Sequence, residues 1–440
     1  MSTDWGKLHR AHVSELERRY ARALADHGYD GLVIHSGLPK PRTEFDDQFW
    51  ALRPTPQFQH WLPLAQADCA LLVRPGQRPK LVWTQPPNFW EKPAAPDSDF
   101  WLPQFDIVVV EDAADARAHL HPAGKLAFVG EETRRAATWG IGDANPPELM
   151  KALDRLRVHK TPYEIAALDE ANRIAAVGHR AVRDAFFAPD GSAKSELELH
   201  LLFLAATRQD DPETPYKNIV ALGENAATLH HISYRKTAQA RPAESLLLDA
   251  GAACNGYGSD VTRTYVKGAG ATADAFGELL RRTEAMQQRL CAGAVAGKPY
   301  ESLHEEAHRQ VGEILSGLGI ATVGAEEAVT SGLSRAFFPH GLGHSLGLTC
   351  HDVGCAEIKP KANNPFLRNT STISVDQVFT VEPGIYFIDM LLQPLRHGAN
   401  AARVDWKLVD ALATLGGIRI EDDVQVLDGG LRNFTRDHLT

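Results

Sequence analysis

Residues 245 to 265 read SLLLDAGAACNGYGSDVTRTY, and their pattern sets the architecture around which the rest of the chain is read. Two strand-like runs flank Asn255-Gly256, a dipeptide favoured in two-residue hairpin turns because both positions must adopt positive φ. With those two residues as the turn, position 249 faces 262 and position 251 faces 260. Alternate residues of a strand share a face, so Asp249 and Asp260 project to one side on diagonal positions, within reach of shared ligands. Taken alone, the hairpin also allows Asp260 as a solvated strand residue and Asp249 as a turn former.

Further carboxylates lie downstream. VFTVEPG (378 to 384) ends an apolar run on Glu382, and GGIRIEDD (416 to 423) sets Glu421 in another, with Arg419 and Asp423 two residues to either side on its own face. A carboxylate inside an apolar strand must be paired, hydrogen-bonded, protonated or metal-bound, because an isolated buried charge is very costly. Between them, FFPHGLGHSLGLTCHD (337 to 352) carries His340, His344 and His351 among glycines that let the backbone bend closely. Four carboxylates and one imidazole supply a charge of about −4, which two divalent cations balance and one does not; oxygen-rich ligation favours hard ions such as Mn²⁺ over thiolate-seeking Zn²⁺. Two such ions acidify water towards a pKa of ~7 and polarise a carbonyl or phosphoryl oxygen, which is hydrolase chemistry.

The chain has 440 residues, about three times a common domain length of ~150, so two or three domains are expected. Its 46 Lys and Arg against 56 Asp and Glu give a net charge of −10, the wrong sign for neutralising many phosphates, so nucleic acid is not an expected partner. Five cysteines without a C-x-x-C pair fit a reduced compartment. No apolar leader and no apolar run of 18 or more residues is present, so a cytoplasmic chain with no membrane partner is expected.

The first region reads α/β. Val13, Leu16, Tyr20 and Leu24 give an amphipathic helix over 11 to 27, and GLVIH (31 to 35), CALLV (69 to 73), KLVW (80 to 83), DIVVV (106 to 110) and LAFVG (126 to 130) read as strands of one mixed sheet. Seven of eight tryptophans precede residue 140, which marks a compositional seam near 155 to 162. There Thr161-Pro162-Tyr163-Glu164 combines a cap, a proline at the first helical position and a capping-box glutamate. The spacing predicts a long helix from there to about Phe187, before Pro189-Asp190-Gly191, and a second over 195 to 208. From 218 onward strand-like segments (NIVAL, VFTVE, IYFI, GIRIEDDVQVL) alternate with helical stretches near 274 to 293 and 302 to 318. The fold class expected is α+β, with domains over 1–160 and 161–440.

In this order and spacing, DAGA…D-x-T-R-T, FPHGLGH-x-x-G-L, VEPG and GGIRIED resemble the pita-bread metallopeptidases, the superfamily of methionine aminopeptidase, aminopeptidase P and prolidase. The resemblance implies a C-terminal pita-bread catalytic domain preceded by a smaller, creatinase-type α/β domain. It makes Asp249, Asp260, His344, Glu382 and Glu421 ligands of two divalent ions, with Asp260 and Glu421 bridging and His344 chosen over His340 because His351 follows it by seven residues. It gives Glu382 the proton transfer, His230 and His351 the scissile amide and its oxyanion, and Arg419 electrostatic support; His340 and His231 are left between pocket lining and packing.

Arg368 lies 14 residues before Glu382, where prolidases carry an arginine for the free carboxylate of a dipeptide, a task that suits a guanidinium fork; by itself the residue reads as a surface-loop arginine. With GLVIHSG, FDDQFW and EPGIYFID, the whole chain resembles the bacterial prolidases that also hydrolyse organophosphorus esters. That resemblance implies Tyr216, Leu229, Tyr300 and Cys350 in the pocket lining, Asp47 reaching a neighbouring subunit's site in a homodimer, and Xaa-Pro dipeptides as substrate. The alternative is aminopeptidase P, acting at the N-terminal Xaa-Pro bond of longer peptides.

Overall fold

A computed structural model of the chain describes residues 3–90, 99–120, 124–188, 194–239, 243–356 and 358–439. It divides into two compact units, Met1–Ala166 and Ala167–Thr440. The expected turn at Pro189-Asp190-Gly191 lies outside the described residues.

In the first unit, β1 (Gly31–His35), β2 (Ala70–Val73), β3 (Lys80–Thr84), β4 (Asp106–Val110), β5 (Leu126–Val129) and β6 (Asp143–Ala144) form one mixed sheet in the order β4-β3-β2-β1-β5-β6. The alternation of β1 divides its side chains between two cores, Leu32 and Ile34 on one face and Val33 on the other, so helices cover both faces of the sheet. The first helix spans Trp5–Asp26 and starts before residue 11. Its N-terminal turns carry His9 and His12, which read as polar but are buried and prolong the apolar stripe.

The Thr161 capping box forms as expected: the Thr161 N–H donates to Glu164 at 2.8 Å and the Glu164 N–H to Thr161 Oγ1 at 3.4 Å. The helix it opens runs Pro162–Phe187, and the next spans Glu196–Thr207.

The second unit contains two antiparallel assemblies. In one, β8 (Ser245–Asp249) lies between β7 (Ile219–Leu222) and the later strand of its own hairpin, which continues through β9 (Ala253–Cys254), β10 (Tyr257–Gly258) and β11 (Thr262–Val266). Asn255 and Gly256 take φ of 51° and 89°, as a two-residue turn matched to strand twist requires. Thr262 then pairs with Asp249, the expected register. In the other, β12 (Val378–Val381) pairs with β15 (Asp422–Leu427), β13 (Gly384–Tyr386) with β14 (Gly417–Arg419), and β16 (Gly430–Asn433) with β15. Helices Ala271–Gly293 and Tyr300–Gly317 share this assembly's apolar core.

GIRIEDDVQVL is thus two strands and not one run. Both ladders break at the same level, between β12 and β13 and between β14 and β15. The register is equal on the two sides of the break, Val381 with Asp422 and Gly384 with Arg419, which places Glu382 opposite Glu421. Freed from its own ladder, Glu421 bridges to Thr262 of the other assembly, its N–H donating to the Thr262 carbonyl at 3.1 Å.

Candidate active site

The turn and the paired break bring four carboxylates towards one imidazole. His344 Nε2 lies 3.3 Å from Asp260 Oδ2, 3.8 Å from Glu382 Oε1 and 4.0 Å from Glu421 Oε1, while its Nδ1 faces the Ser345 carbonyl at 3.1 Å, which leaves Nε2 as the free ligand atom. Asp260, His344 and Glu421 offer ligand atoms within 4.8 Å of one another. Glu421 also accepts from the Thr262 hydroxyl at 2.6 Å. Asp249 accepts from Tyr216 Oη at 2.7 Å and pairs with the Arg419 guanidinium. Arg419 therefore partners neither Glu421 nor Asp423 in an ion pair. Asp423 accepts the Asp260 N–H at 3.0 Å and Asn172 Nδ2 at 2.8 Å, which fixes the backbone at Asp260, between β10 and β11.

Charge crowding governs the acid–base state of the group. Burial pushes Asp249 up to about 6 and Glu382 up to about 7. Glu421 is held well above the usual carboxylate range by burial and by the charges of Asp260, Glu382 and Asp249. His344 rises to about 9: burial opposes its charge, but Asp260 and Glu382 outweigh that. Asp260 stays below its ordinary value despite burial because it faces His344. Four carboxylates are thus crowded around one guanidinium and one imidazole and raise one another's proton affinity, a crowding that divalent cations would relieve. The donor set fits the metal ions that the sequence implies.

His340 is satisfied as a neutral ring that accepts from the Tyr386 hydroxyl at Nε2, 2.8 Å away, and donates from Nδ1 to the Gly341 carbonyl at 2.8 Å; Tyr386 in turn accepts from Arg419 Nη1 at 3.1 Å. His340 Nδ1 also lies 3.7 Å from Glu382. His351 stands edge-on to His344, ring centroids 4.4 Å apart, and is lowered to about 4 by burial and by the charges of His344 and Arg368. His230 is lowered by burial, Arg419 and Arg368. Arg368 is exposed and makes no hydrogen bond or ion pair among the described residues, so its guanidinium is available beside both imidazoles. The Cys350 thiol donates to Asp260 Oδ2 at 3.0 Å, and Leu229 is half-buried.

Tyr300 is fully buried: its hydroxyl donates to the Thr380 carbonyl at 2.7 Å, and its ring packs edge-on to Phe379. Asp47 is exposed in the first unit, accepting from the Gln48 side chain at 3.0 Å.

Sequence reasoning missed Glu196. Fully buried at the start of its helix, it accepts from the Leu222 N–H at 3.0 Å, Asn225 Nδ2 at 2.7 Å, His231 Nε2 at 2.9 Å and the Arg235 N–H at 2.8 Å. His231 thus serves this tether, which holds both sides of the segment carrying His230. The only signal in the sequence was a glutamate in the apolar stretch ELELHLLFL.

Two family profiles match the chain: Metallopeptidase family M24 over residues 166–428, and the N-terminal domain of Xaa-Pro dipeptidase over residues 7–154. The chain belongs to metallopeptidase family M24. Among the relatives of this M24 metallopeptidase are the Xaa-Pro dipeptidase of Marinobacter nauticus, 43% identical over 98% of both chains, and that of Pseudoalteromonas atlantica, 38% identical over 98% of both. The expected likeness to prolidases and to a pita-bread domain behind a smaller N-terminal domain is borne out. In fold it is similar to proline aminopeptidase P II from Yersinia pestis, with a TM-score of 0.74 at 21% identity over 97% of both chains. Among the described residues no helix is long and apolar enough to cross a membrane.

Proposed function

We propose that this metallopeptidase hydrolyses Xaa-Pro dipeptides, releasing C-terminal proline. The observation that carries this reading is the convergence of Asp260, His344 and Glu421 on one point, with Arg368 free of hydrogen bonds and ion pairs among the described residues beside His230 and His351. The curated relatives named Xaa-Pro dipeptidases match both units. Among the described residues Cys69, Cys254, Cys291 and Cys350 form no disulfide, which supports a cytoplasmic place. We take the division of labour as a first domain over 1–160 and a catalytic domain over 161–440, assembled as a homodimer in which Asp47 reaches the site of a second copy.

Asp249, Asp260 and Glu421 would hold one divalent cation, and Asp260, Glu421, His344 and Glu382 a second, both Mn²⁺ by preference for oxygen donors. Bound there, the ions would supply Lewis-acid polarisation of the carbonyl and acidify the attacking water. Glu382 would take a proton from that water and pass it to the proline nitrogen. His230 and His351, whose proton affinity is lowered, remain neutral N–H donors to the amide oxygen as it gains charge. Arg368 pairs with the dipeptide carboxylate, and Arg419, fixed by Asp249 and Tyr386, keeps the buried negative charge in place. Tyr216, Leu229, Cys350 and His340 bound the pocket. The same site could attack a tetrahedral phosphorus centre, so phosphotriester hydrolysis follows as a side activity.

The test compares a Xaa-Pro dipeptide with a Xaa-Pro-Xaa tripeptide, using metal-stripped protein with and without Mn²⁺. Metal-dependent cleavage confined to the dipeptide is expected. Preference for the tripeptide would make the enzyme an aminopeptidase P. In Arg368→Ala, loss of a charge-assisted bond of about 1.5–3 kcal/mol should raise KM for the dipeptide roughly 10- to 100-fold, and leave a C-terminally amidated analogue unchanged. Equal effects on both would remove the carboxylate clamp.

A further inference from the structure

His344 belongs to two convergent groups. One is the oxygen-rich set; the other is His344, Cys350 and His351, whose ligand atoms also lie within 4.8 Å of one another. The second group has a different chemistry, two imidazoles and a thiol. Such an N₂S set is matched to borderline and soft ions, with Zn–S near ~2.3 Å and Zn–N near ~2.0–2.1 Å. A tetrahedral ion needs those atoms about 3.5 Å apart, a contraction of roughly an ångström from the widest separation allowed here. The turn that presents the group is closed by the Asp352 N–H donating to the Ser345 carbonyl at 2.8 Å and the Thr349 hydroxyl donating to Asp352 Oδ1 at 3.1 Å. Buried His344, half-buried Cys350 and exposed His351 form a gradient from interior to surface, which leaves the fourth position open to solvent.

We propose that His344, Cys350 and His351 form an alternative site for a thiophilic divalent ion such as Zn²⁺, and that its occupation switches the peptidase off by withdrawing His344 from the oxygen-rich set. The two uses exclude each other because only Nε2 of His344 is free, its Nδ1 facing the Ser345 carbonyl. On binding, the Cys350 S–H bond breaks, its proton leaves to solvent and the sulfur–metal bond forms, so no oxidant is needed. The same event removes the thiol's hydrogen bond to Asp260. The switching half rests on the proposed role of His344 as a ligand for the catalytic ions; the N₂S site itself does not.

Oxygen donors suit Mn²⁺, but Zn²⁺ lies above it in raw affinity and in excess can displace it there too, so inhibition by zinc is uninformative without a readout of sulfur. Metal-stripped protein titrated with Co²⁺ should develop a near-ultraviolet thiolate-to-cobalt charge-transfer band. That band should be absent from Cys350→Val, which keeps the other four cysteines. A missing band in the parent protein, or one that persists in the variant, overturns the site. In the Mn²⁺-loaded enzyme, half-inhibition should need at least tenfold less Zn²⁺ than in Cys350→Val, each measured against its own zinc-free rate. Equal sensitivity alongside a Cys350-dependent band overturns the switch. Zn²⁺ should also slow alkylation of Cys350 in the parent protein at least tenfold relative to Mn²⁺, and unchanged alkylation counts against the site even if the variant fails to fold. A protein that shows the band but cleaves no dipeptide keeps the site and loses the proposed function.

Discussion

Replacing Glu196 with glutamine tests how the His230 segment is held. The carboxylate accepts four hydrogen bonds, two at each oxygen. An amide presents donors on one side. With its NH₂ towards Arg235, His231 can change tautomer and accept, but the Arg235 backbone N–H is stranded; turned over, Asn225 can rotate and the Leu222 N–H is stranded instead. Either orientation leaves one buried donor unpaired, at about 1–3 kcal/mol, and weakens the bonds that lose charge assistance. A total of about 2–4 kcal/mol should lower Tm by roughly 5–10 °C. Released at both ends, the segment should place His230 less accurately, with kcat/KM about tenfold lower and the content of bound metal unchanged. Thermal unfolding, steady-state kinetics and metal analysis read the three effects. A Tm within about 1 °C of the parent, given a cost of this size, would refute the tether. The pH dependence has a fixed sign. Glu196 is held below the usual carboxylate range, its four donors outweighing burial, so its contribution to stability is present above the ordinary glutamate pKa and is lost as pH falls through the folded one.

Asp260→Asn should abolish metal retention on dialysis together with turnover, and a variant that keeps both would exclude Asp260 as a shared ligand. In Gly343→Ala, the added methyl would overlap the Thr380 carbonyl and the Tyr300 hydroxyl, costing about 1–3 kcal/mol and displacing His344 next to it; an unchanged denaturant midpoint would refute this. His12 resists protonation down to about 4 because it is buried, while the unfolded ring titrates near 6.5. Above pH 6.5 it has no linkage effect, and between about 6.5 and 4 the unfolded state gains protons and stability falls, by up to about 3 kcal/mol. His12→Gln should flatten unfolding free energy against pH in that window, and an equal slope would sink the assignment.

What the sequence revealed divides by range. The Asp249–Asp260 face was readable because Asn255-Gly256 dictates its register locally, and the long helix because Thr161 and Glu164 are three residues apart. The break at Glu382 and Glu421 was not, since an apolar run continues in composition across a change of pairing partner. Arg419 was placed on the right strand, but its partner Asp249 is 170 residues away, and nothing local chooses it over Glu421 or Asp423. Tyr300 is buried with its hydroxyl on the Thr380 carbonyl 80 residues on, a contact that no local pattern announces. Glu196 was invisible because its partners lie 26 to 39 residues later.

The paired break also constrains which changes of length the gene can carry. Because Glu382 and Glu421 face each other across an interruption that both strands share, a one-residue insertion or deletion in either strand slips one carboxylate to the opposite face. Only a matching change in the other strand, about 40 residues distant along the chain, would restore the pair. Loops outside these strands tolerate insertions freely by comparison. Length variation in a library of such enzymes should therefore avoid 378–386 and 417–427, or occur in both together.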